Sequence, residues 1–238
     1  MDFCYLNVFG FICYAAFNTS LFCSKTLQEE YSTIHNGQTI KVQANDVAFA
    51  LHAVALSSFW VVQIWWYNDT MAKRLPSNPT SFIILGMLIV SLIYASKILY
   101  FGENLETSLN WLDFLYTLAN FKVAITICKY TPQVFLNCQR RSTDGWNVWN
   151  VLLDFAGGTL SLLQLIGDCW NTNDWHGITG DPAKFALGFV SIFFDIIFFT
   201  QHYILYRPTD GSYSEVANAH SSPHAMEEMV GLQAHKLA

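Results

Sequence analysis

The sequence predicts an all-α membrane protein, and its composition is the first reason. Hydrophobic residues make up 53% of the 238 positions, whereas charged residues make up only 13%, well below the roughly 25% of a soluble domain. The second reason is that long stretches, such as 3–24 and 47–68, lack any Asp, Glu, Lys or Arg. Each stretch is long enough to cross a bilayer as a helix, which takes about 20 apolar residues.

Six stretches have this character, and they are residues 3–23, 47–67, 81–101, 112–136, 147–168 and 184–206. No basic segment precedes the first, and it is too long for the apolar part of a signal peptide, so we interpret it as a span. The six cysteines lie in or at the ends of spans without metal-site spacing, which predicts neither a metal site nor a disulfide framework. We expect the lipid bilayer as a partner, and neither a cofactor nor a nucleic acid.

The positions of basic residues predict the orientation of the spans. Lys73 and Arg74 follow the second span, Arg140 and Arg141 follow the fourth, and Arg207 follows the sixth, whereas the other long loops are acidic or mixed. Because basic loops face the cytosol, alternate loops are predicted to be cytosolic. Both termini then lie in the cytosol.

Spans one and two resemble spans five and six. Residues 5–10 can be laid on 152–157, and residues 49–51 on 185–187. These matches indicate a parallel repeat of the kind found in some transporters, with span three as the linker between two units. Span four opens the second unit and nothing precedes span one, so we expect one helix of the first unit to be missing.

The predicted organisation is an incomplete first bundle (1–67), a linker helix with its loops (68–108), a second three-helix bundle (109–207) and a disordered tail (208–238).

Polar residues recur at intervals of three or four in three spans, which places each set on one helix face. In span four they are Thr126, Tyr130, Gln133 and Asn137; in span five they are Asn147, Asn150, Asp154, Gly157 and Ser161; in span six they are Lys184, Gly188, Ser191 and Asp195. Three such faces predict a polar cavity between the helices. The alternative interpretation is that these residues form interhelical hydrogen bonds, which stabilise membrane helix packing modestly.

The two acids are the strongest functional candidates in these stripes. A charged group at membrane depth costs roughly 3 kcal/mol or more, and such groups usually mark function. Asp154 lies about 10 Å below the predicted cytosolic end of its span, at 1.5 Å per residue, and Asp195 lies near the middle of the last span. Lys122 also lies within a span, either paired with an acid or reaching towards the surface.

Pro132 predicts a kink beside the cavity, because proline removes a backbone hydrogen bond from a helix. Gln133 can then bond the exposed backbone or a substrate. Gly157 and Gly158 favour either close approach of a neighbouring helix or a second hinge.

An ordered set of motifs resembles the cystinosin family, including its second PQ-loop. The matching stretches are 45–54, Tyr130-Thr131-Pro132-Gln133, Asn137, 140–146, 150–158, 180–185 and 193–195. The resemblance covers roughly residues 2–207. It implies a PQ-loop fold (SWEET/cystinosin-like), in which two three-helix bundles form a parallel repeat around a linker helix.

The resemblance also implies a function, that of a lysosomal symporter for L-cystine and protons. It implies that Asp154 binds the coupled proton, with Asp46 and Asp195 assisting. The substrate-binding set that we predict is Asn137, Asn150, Lys184, Tyr130 and Gln133. The family has an earlier helix with a first PQ-loop, so we expect this chain to lack both.

The polar tail contains Tyr213 and Val216 in the pattern of a tyrosine sorting signal, which predicts a sorting adaptor as partner and the lysosomal membrane as location. Two alternatives remain open: another PQ-loop carrier, for cationic amino acids or sugars, or a receptor or scaffold that binds without transport. An enzyme is not expected, since no nucleophile–base pair lies on the stripes.

Overall fold

The computed structural model describes residues 1–35, 37–40, 42–68, 75–103, 109–143, 148–172, 175 and 182–206. The helices are α1 (Asp2–Cys23), α2 (Lys25–Ile34), α3 (Ala44–Tyr67), α4 (Asn78–Phe101), α5 (Trp111–Arg140), α6 (Val148–Thr172) and α7 (Pro182–Phe199), and α7 continues as a π-helix (Thr200–Leu205). Six of the helices are long and apolar enough to cross a membrane. The all-α membrane class and the six spans are thereby confirmed.

Successive long helices run in opposite directions, so the bundle has two ends. We call them the near side, which holds Asp2, Tyr67, Asn78, Arg140, Val148 and Leu205, and the far side, which holds Cys23, Ala44, Phe101, Trp111, Thr172 and Pro182. The near side is the one that the basic residues predict to be cytosolic.

Helix α5 is longer than the sequence predicts, and its caps explain both ends. The Asn110 side chain accepts a hydrogen bond from the backbone N–H of Asp113 (2.7 Å), which satisfies a donor of the first turn. The helix passes through Pro132 and ends at Arg141, whose φ of 49° is left-handed. The predicted span, 112–136, also passed through Pro132, and the helix extends four residues beyond its end, to Arg140.

Helix α2 is an addition that the sequence analysis took for loop. The Ser24 side chain accepts from the N–H of Leu27 and starts the helix, and Tyr31 is buried against the bundle. Burial raises the pKa of Glu30 on this helix, and the neighbouring carboxylates of Glu103 and Asp113 raise it further. With 10 residues, α2 is too short to show as a span.

Helix α5 forms the centre of the bundle and packs against α1 on one side and α7 on the other. Helices α1 and α3 form one pair, and helices α6 and α7 form a second pair with the same directions. Glycines allow these close contacts. A Cβ added at Gly10 would lie 3.0 Å from Lys122 Cδ of α5, and one added at Gly188 would lie 2.9 Å from Leu162 Cδ2 of α6.

Candidate functional site

A central cavity of about 330 Å³ lies between α3 and α6, and helices α1, α5 and α7 complete its wall. Its lining includes the carboxyl groups of Asp46 and Asp154 and the amino groups of Lys122, Lys129 and Lys184. The wall therefore offers groups of both signs to the same space. A zwitterionic ligand matches such a wall, because it carries both signs itself.

A second cavity of about 560 Å³, the near-side cavity, lies between α1, α3, α5 and α6. Its lining includes Tyr130, Gln133 and Asn150, three members of the predicted substrate-binding set. Lys129, Tyr130 and Asp154 line both cavities. These three residues therefore stand at the boundary between the two spaces.

Asp154 is held at this boundary by hydrogen bonds from two helices. The hydroxyl of Tyr130 on α5 donates to its Oδ2 (2.7 Å), and the hydroxyl of Ser191 on α7 donates to the same oxygen (2.9 Å). Because both donors use Oδ2, Oδ1 is the oxygen on which a proton can be carried. Asp154 lies on the second turn of α6, on the helix face that the sequence predicts to be polar, and this face lines the cavities.

Asp46 and Lys184 form a buried ion pair at the far-side end of the central cavity. The Nζ of Lys184 lies 2.8 Å from both carboxylate oxygens of Asp46. The side chain of Lys184 is 2% exposed and that of Asp46 is 8% exposed. The backbone N–H of Gln43 also donates to Asp46 Oδ2 (2.9 Å), which starts α3. The pair joins α3 of the first helix pair to α7 of the second. Opening it without a replacement partner leaves an uncompensated buried charge.

Asp195 lies one turn beyond Ser191 on α7 and is 1% exposed. Its Oδ2 has no hydrogen-bond partner among the described residues. Burial of a polar oxygen without a partner is costly, so this position is maintained against a free-energy penalty. Asp195 does not line either of the two cavities.

Asn137 is in a different setting from the other predicted substrate-binding residues. It is buried, lines neither of the two cavities, and donates through Nδ2 to Gln201 Oε1 (2.9 Å). Its Oδ1 accepts from Nε2 of Gln133 (2.9 Å). Gln133 therefore bonds a neighbouring side chain here, rather than the backbone that proline exposes.

The predicted hinge residues fall into two groups. Pro132 lies inside the continuous helix α5. A Cβ at Gly158 would contact Ile192 of α7 at 3.4 Å, which is the close approach that the sequence predicts. Gly157 has open space around its Cα and lines the central cavity. Whether these positions act as hinges stays a prediction.

Lys129, which lines both cavities, was not among the residues predicted from the sequence. Its Nζ donates to Asn7 Oδ1 of α1 (3.1 Å) and lies 4.4 Å from the ring centre of Tyr130. Lys122 lies two turns earlier on the same face and sits 3.5 Å from the ring centre of Phe11, a cation–π contact. The spacing of seven between two lysines in one span was a signal that could have found Lys129.

A set of hydrogen-bonded side chains on the far side, which we call the far-side latch, connects α3 to α6 and was also not predicted. Its members are Gln43, Asn45, Gln164 and Asp168. Nε2 of Gln43 donates to Asp168 Oδ2 (2.6 Å), and Nδ2 of Asn45 donates to Gln164 Oε1 (2.7 Å). Nε2 of Gln164 returns a bond to Gln43 Oε1 (2.9 Å). Two of these side chains, Asn45 and Gln164, line the central cavity. No periodic pattern could have paired residues about 120 positions apart.

Several predicted features lie outside the described residues: the sorting signal Tyr213 and Val216, the basic residues Lys73, Arg74 and Arg207, and the motif residues 144–147 and 180–181.

Comparisons with known proteins come from a family model and from curated relatives. The model of the PQ loop repeat matches residues 114–174, most of α5 and α6. Cystinosin of Drosophila melanogaster is 40% identical over 206 residues, which are 87% of this chain and 50% of the relative. The cystinosin homolog of Dictyostelium discoideum is 40% identical over 206 residues, 87% of this chain and 69% of the relative. The cystine transporter of Saccharomyces cerevisiae is 28% identical over 223 residues, 86% of this chain and 80% of the relative.

The chain thus spans about half the length of cystinosin from Drosophila melanogaster.

Proposed function

The chain belongs to the cystinosin family, and we propose that it carries L-cystine together with a proton from the lysosomal lumen to the cytosol. The observation that carries this proposal is Asp154, a membrane-depth carboxyl group at the boundary of two cavities. The relative in Saccharomyces cerevisiae is named a cystine transporter, and this name supports the choice of substrate. Transporter names among the relatives also agree with the prediction that the chain is not an enzyme.

The central cavity offers cystine a set of matching charges. Cystine carries two carboxylates and two ammonium groups. Lys184 can exchange its partner Asp46 for a substrate carboxylate, and Asp46 can then receive an ammonium group. Such an exchange keeps both buried charges compensated, which avoids the penalty of an open ion pair. It also couples substrate binding to the separation of α3 from α7.

Asp154 supplies the proton site in this proposal. Its Oδ1 carries the proton while Tyr130 and Ser191 continue to donate to Oδ2. Protonation removes the negative charge from the cavity boundary, where Lys129 also lies. Asp195, one turn beyond Ser191, offers a second buried oxygen along α7 and is the proposed assisting group.

Access to the cavities must alternate between the two sides for transport to occur. On the far side, the latch of Gln43, Asn45, Gln164 and Asp168 must open to admit substrate. On the near side, the predicted hinge at Pro132 allows the end of α5 to move, as helix irregularities do in transporters. With the near side cytosolic, as the basic residues predict, the far side faces the lumen. The sorting signal at Tyr213 and Val216, read by an adaptor, would bring the chain to the lysosome.

The test is uptake of radiolabelled cystine into proteoliposomes that contain the full chain, with the pH gradient imposed or collapsed. Gradient-dependent uptake that unlabelled cystine inhibits, and that arginine and glucose do not, is the expected result. Inhibition by arginine or glucose instead would identify another PQ-loop carrier. Cystine binding without uptake would indicate a receptor and would contradict the proposal.

A further inference from the structure

Gln201 is a buried polar side chain with no role in the proposed transport so far. It is 2% exposed and belongs to the π-helix Thr200–Leu205 that extends α7. Local π-helical turns often mark functional positions, because they change the direction of a side chain at a free-energy cost. Here the side chain of Gln201 crosses to α5.

The contacts of Gln201 fix the orientation of its carboxamide. Nε2 donates to the backbone carbonyl of Val134 (3.0 Å) and lies 3.2 Å from Cys138 Sγ. A backbone carbonyl can only accept, so the amino end of Gln201 must face it. The Oε1 end must therefore accept, and it does so from Asn137 Nδ2 (2.9 Å).

This orientation passes along a chain of three amides. Because Nδ2 of Asn137 is used by Gln201, its Oδ1 is presented to Gln133, whose Nε2 donates to it (2.9 Å). The amino end of Gln133 is thereby directed towards Asn137. Its carbonyl oxygen, with two lone pairs, is left for the near-side cavity that Gln133 lines.

We propose that Gln201 is a positioning residue which, through Asn137, holds the carbonyl end of Gln133 towards the near-side cavity and makes it a subsite for a ligand ammonium group. The proposal rests on the proposed function, because cystine supplies the ammonium group. We call the chain of amides Gln201–Asn137–Gln133 the relay. An acceptor at this position attracts an ammonium group and repels a carboxylate, so the relay determines which end of a zwitterion is bound there. A glutamine without the relay can rotate and accept either end.

The test compares cystine with 3,3′-dithiodipropionate, which has the same disulfide and carboxylates but no ammonium groups. In the full chain, both compounds compete for labelled cystine uptake, and the ratio of their inhibition constants is measured. We expect Gln201→Met to reduce the preference for cystine by about tenfold, the scale of one hydrogen bond to a charged group. Gln63→Met, an exposed glutamine near the near-side end of α3, is the matched control and should leave the ratio unchanged.

A fall of both affinities by the same factor would overturn the proposal, since it would show only a structural role. If Gln201→Met does not fold, Asn137→Leu breaks the relay instead, because leucine has neither the oxygen that holds the amino end of Gln133 nor the donor that Gln201 Oε1 accepts from. Its preference ratio should fall in the same way, and an unchanged ratio would overturn the proposal.

A second measurement does not depend on transport and separates the relay from the proposed function. If the unmodified chain takes up no cystine, the proposed function fails, and hydrogen exchange of ¹⁵N-labelled glutamine side chains still reports on the relay. The side-chain amide of Gln133, assigned from its loss in Gln133→Leu, should exchange faster in Gln201→Met than in the unmodified chain. Equal exchange rates would overturn the relay.

Discussion

The two helix pairs beside α5 place an amide in one pair where the other has a carboxyl group. The repeat lays Asn7 of α1 on Asp154 of α6. Each bonds a serine of its own pair: Asn7 Nδ2 donates to Ser57 Oγ (3.1 Å), and Ser191 Oγ donates to Asp154 (2.9 Å). At this aligned position both pairs therefore bond a serine of the partner helix, and they differ there in having an amide or a carboxyl group.

The contacts with α5 extend this comparison. Lys129 donates to Asn7, and its neighbour Tyr130 donates to Asp154. An asparagine amide does not change charge with pH, whereas a carboxyl group does. The predicted repeat therefore places a polar side chain at the same position in both pairs. Of the two, only the carboxyl group in the second pair can bind and release a proton.

The largest expected effect comes from Asp154→Asn, which makes the second pair chemically like the first. We expect gradient-driven cystine uptake to fall to the level of empty liposomes, because the amide cannot carry the coupled proton. The fold should persist, since Tyr130 and Ser191 can still donate to the amide oxygen. The measurement is cystine uptake together with proton entry reported by a pH-sensitive dye.

The control for this experiment is Glu29→Gln, the same loss of a carboxyl group at an exposed position of α2 that lines neither cavity. This variant should keep the dependence of uptake on the gradient. Undiminished proton-coupled uptake by Asp154→Asn would refute the assignment of the proton site.

The contacts of Asp154 could be predicted from the sequence better than those of Asn7. Asp154, Tyr130 and Ser191 lie on stripes with helical spacing, so periodicity alone directed them to one cavity. The partners Asn7 and Lys129 are 122 positions apart, and only the packing of α1 on α5 brings them together. Local pattern predicts which face a residue occupies, but tertiary packing decides which faces meet.

The helices also divide into those that local composition predicts and those that depend on tertiary contacts. Composition predicted the six long helices, because the bilayer requires their length and apolar character. It did not predict α2, whose 10 residues are stabilised by burial of Tyr31, or the π-helix at Thr200–Leu205. In the π-helix, Gln201 bonds the backbone of Val134, which lies 67 positions away on α5, and no local signal reveals such a contact.

The second effect concerns the ion pair that joins the two helix pairs. Lys184→Met should lower the free energy of unfolding by about 3–5 kcal/mol, because it leaves the carboxylate of Asp46 buried and uncompensated. Asp46→Asn should have a cost of the same size. Thermal unfolding in detergent micelles measures both.

The double variant sharpens this prediction. Lys184→Met combined with Asp46→Asn should cost less than the sum of the single changes, because no charge is left unpaired. Strict additivity of the three measurements would show that the two side chains do not interact.

A smaller effect is expected on the pH dependence of uptake, and it should differ between Ser191 and Ser57. Ser191→Ala removes a hydrogen bond to an ionisable group, which is worth about 1.5–3 kcal/mol when the acceptor is charged, whereas Ser57→Ala removes a bond to a neutral amide, worth about 0.5–1.5 kcal/mol. We therefore expect Ser191→Ala to shift the pH dependence of cystine uptake and Ser57→Ala to leave it in place. Uptake measured across a series of external pH values tests this, and equal shifts in both variants would contradict it.

The smallest effect concerns the glycines that the repeat also aligns, Gly10 and Gly157. A Cβ at Gly10 would lie 3.0 Å from Lys122 Cδ and 3.3 Å from Ile125 Cγ2, whereas a Cβ at Gly157 would meet nothing within 4 Å. Alanine favours a helix over glycine by roughly 0.5–1 kcal/mol. Gly157→Ala should therefore raise the unfolding temperature slightly. Gly10→Ala should lower the unfolding temperature, because overpacking reduces the free energy of unfolding by about 1 kcal/mol. Shifts of the same sign would contradict this difference in packing between Gly10 and Gly157.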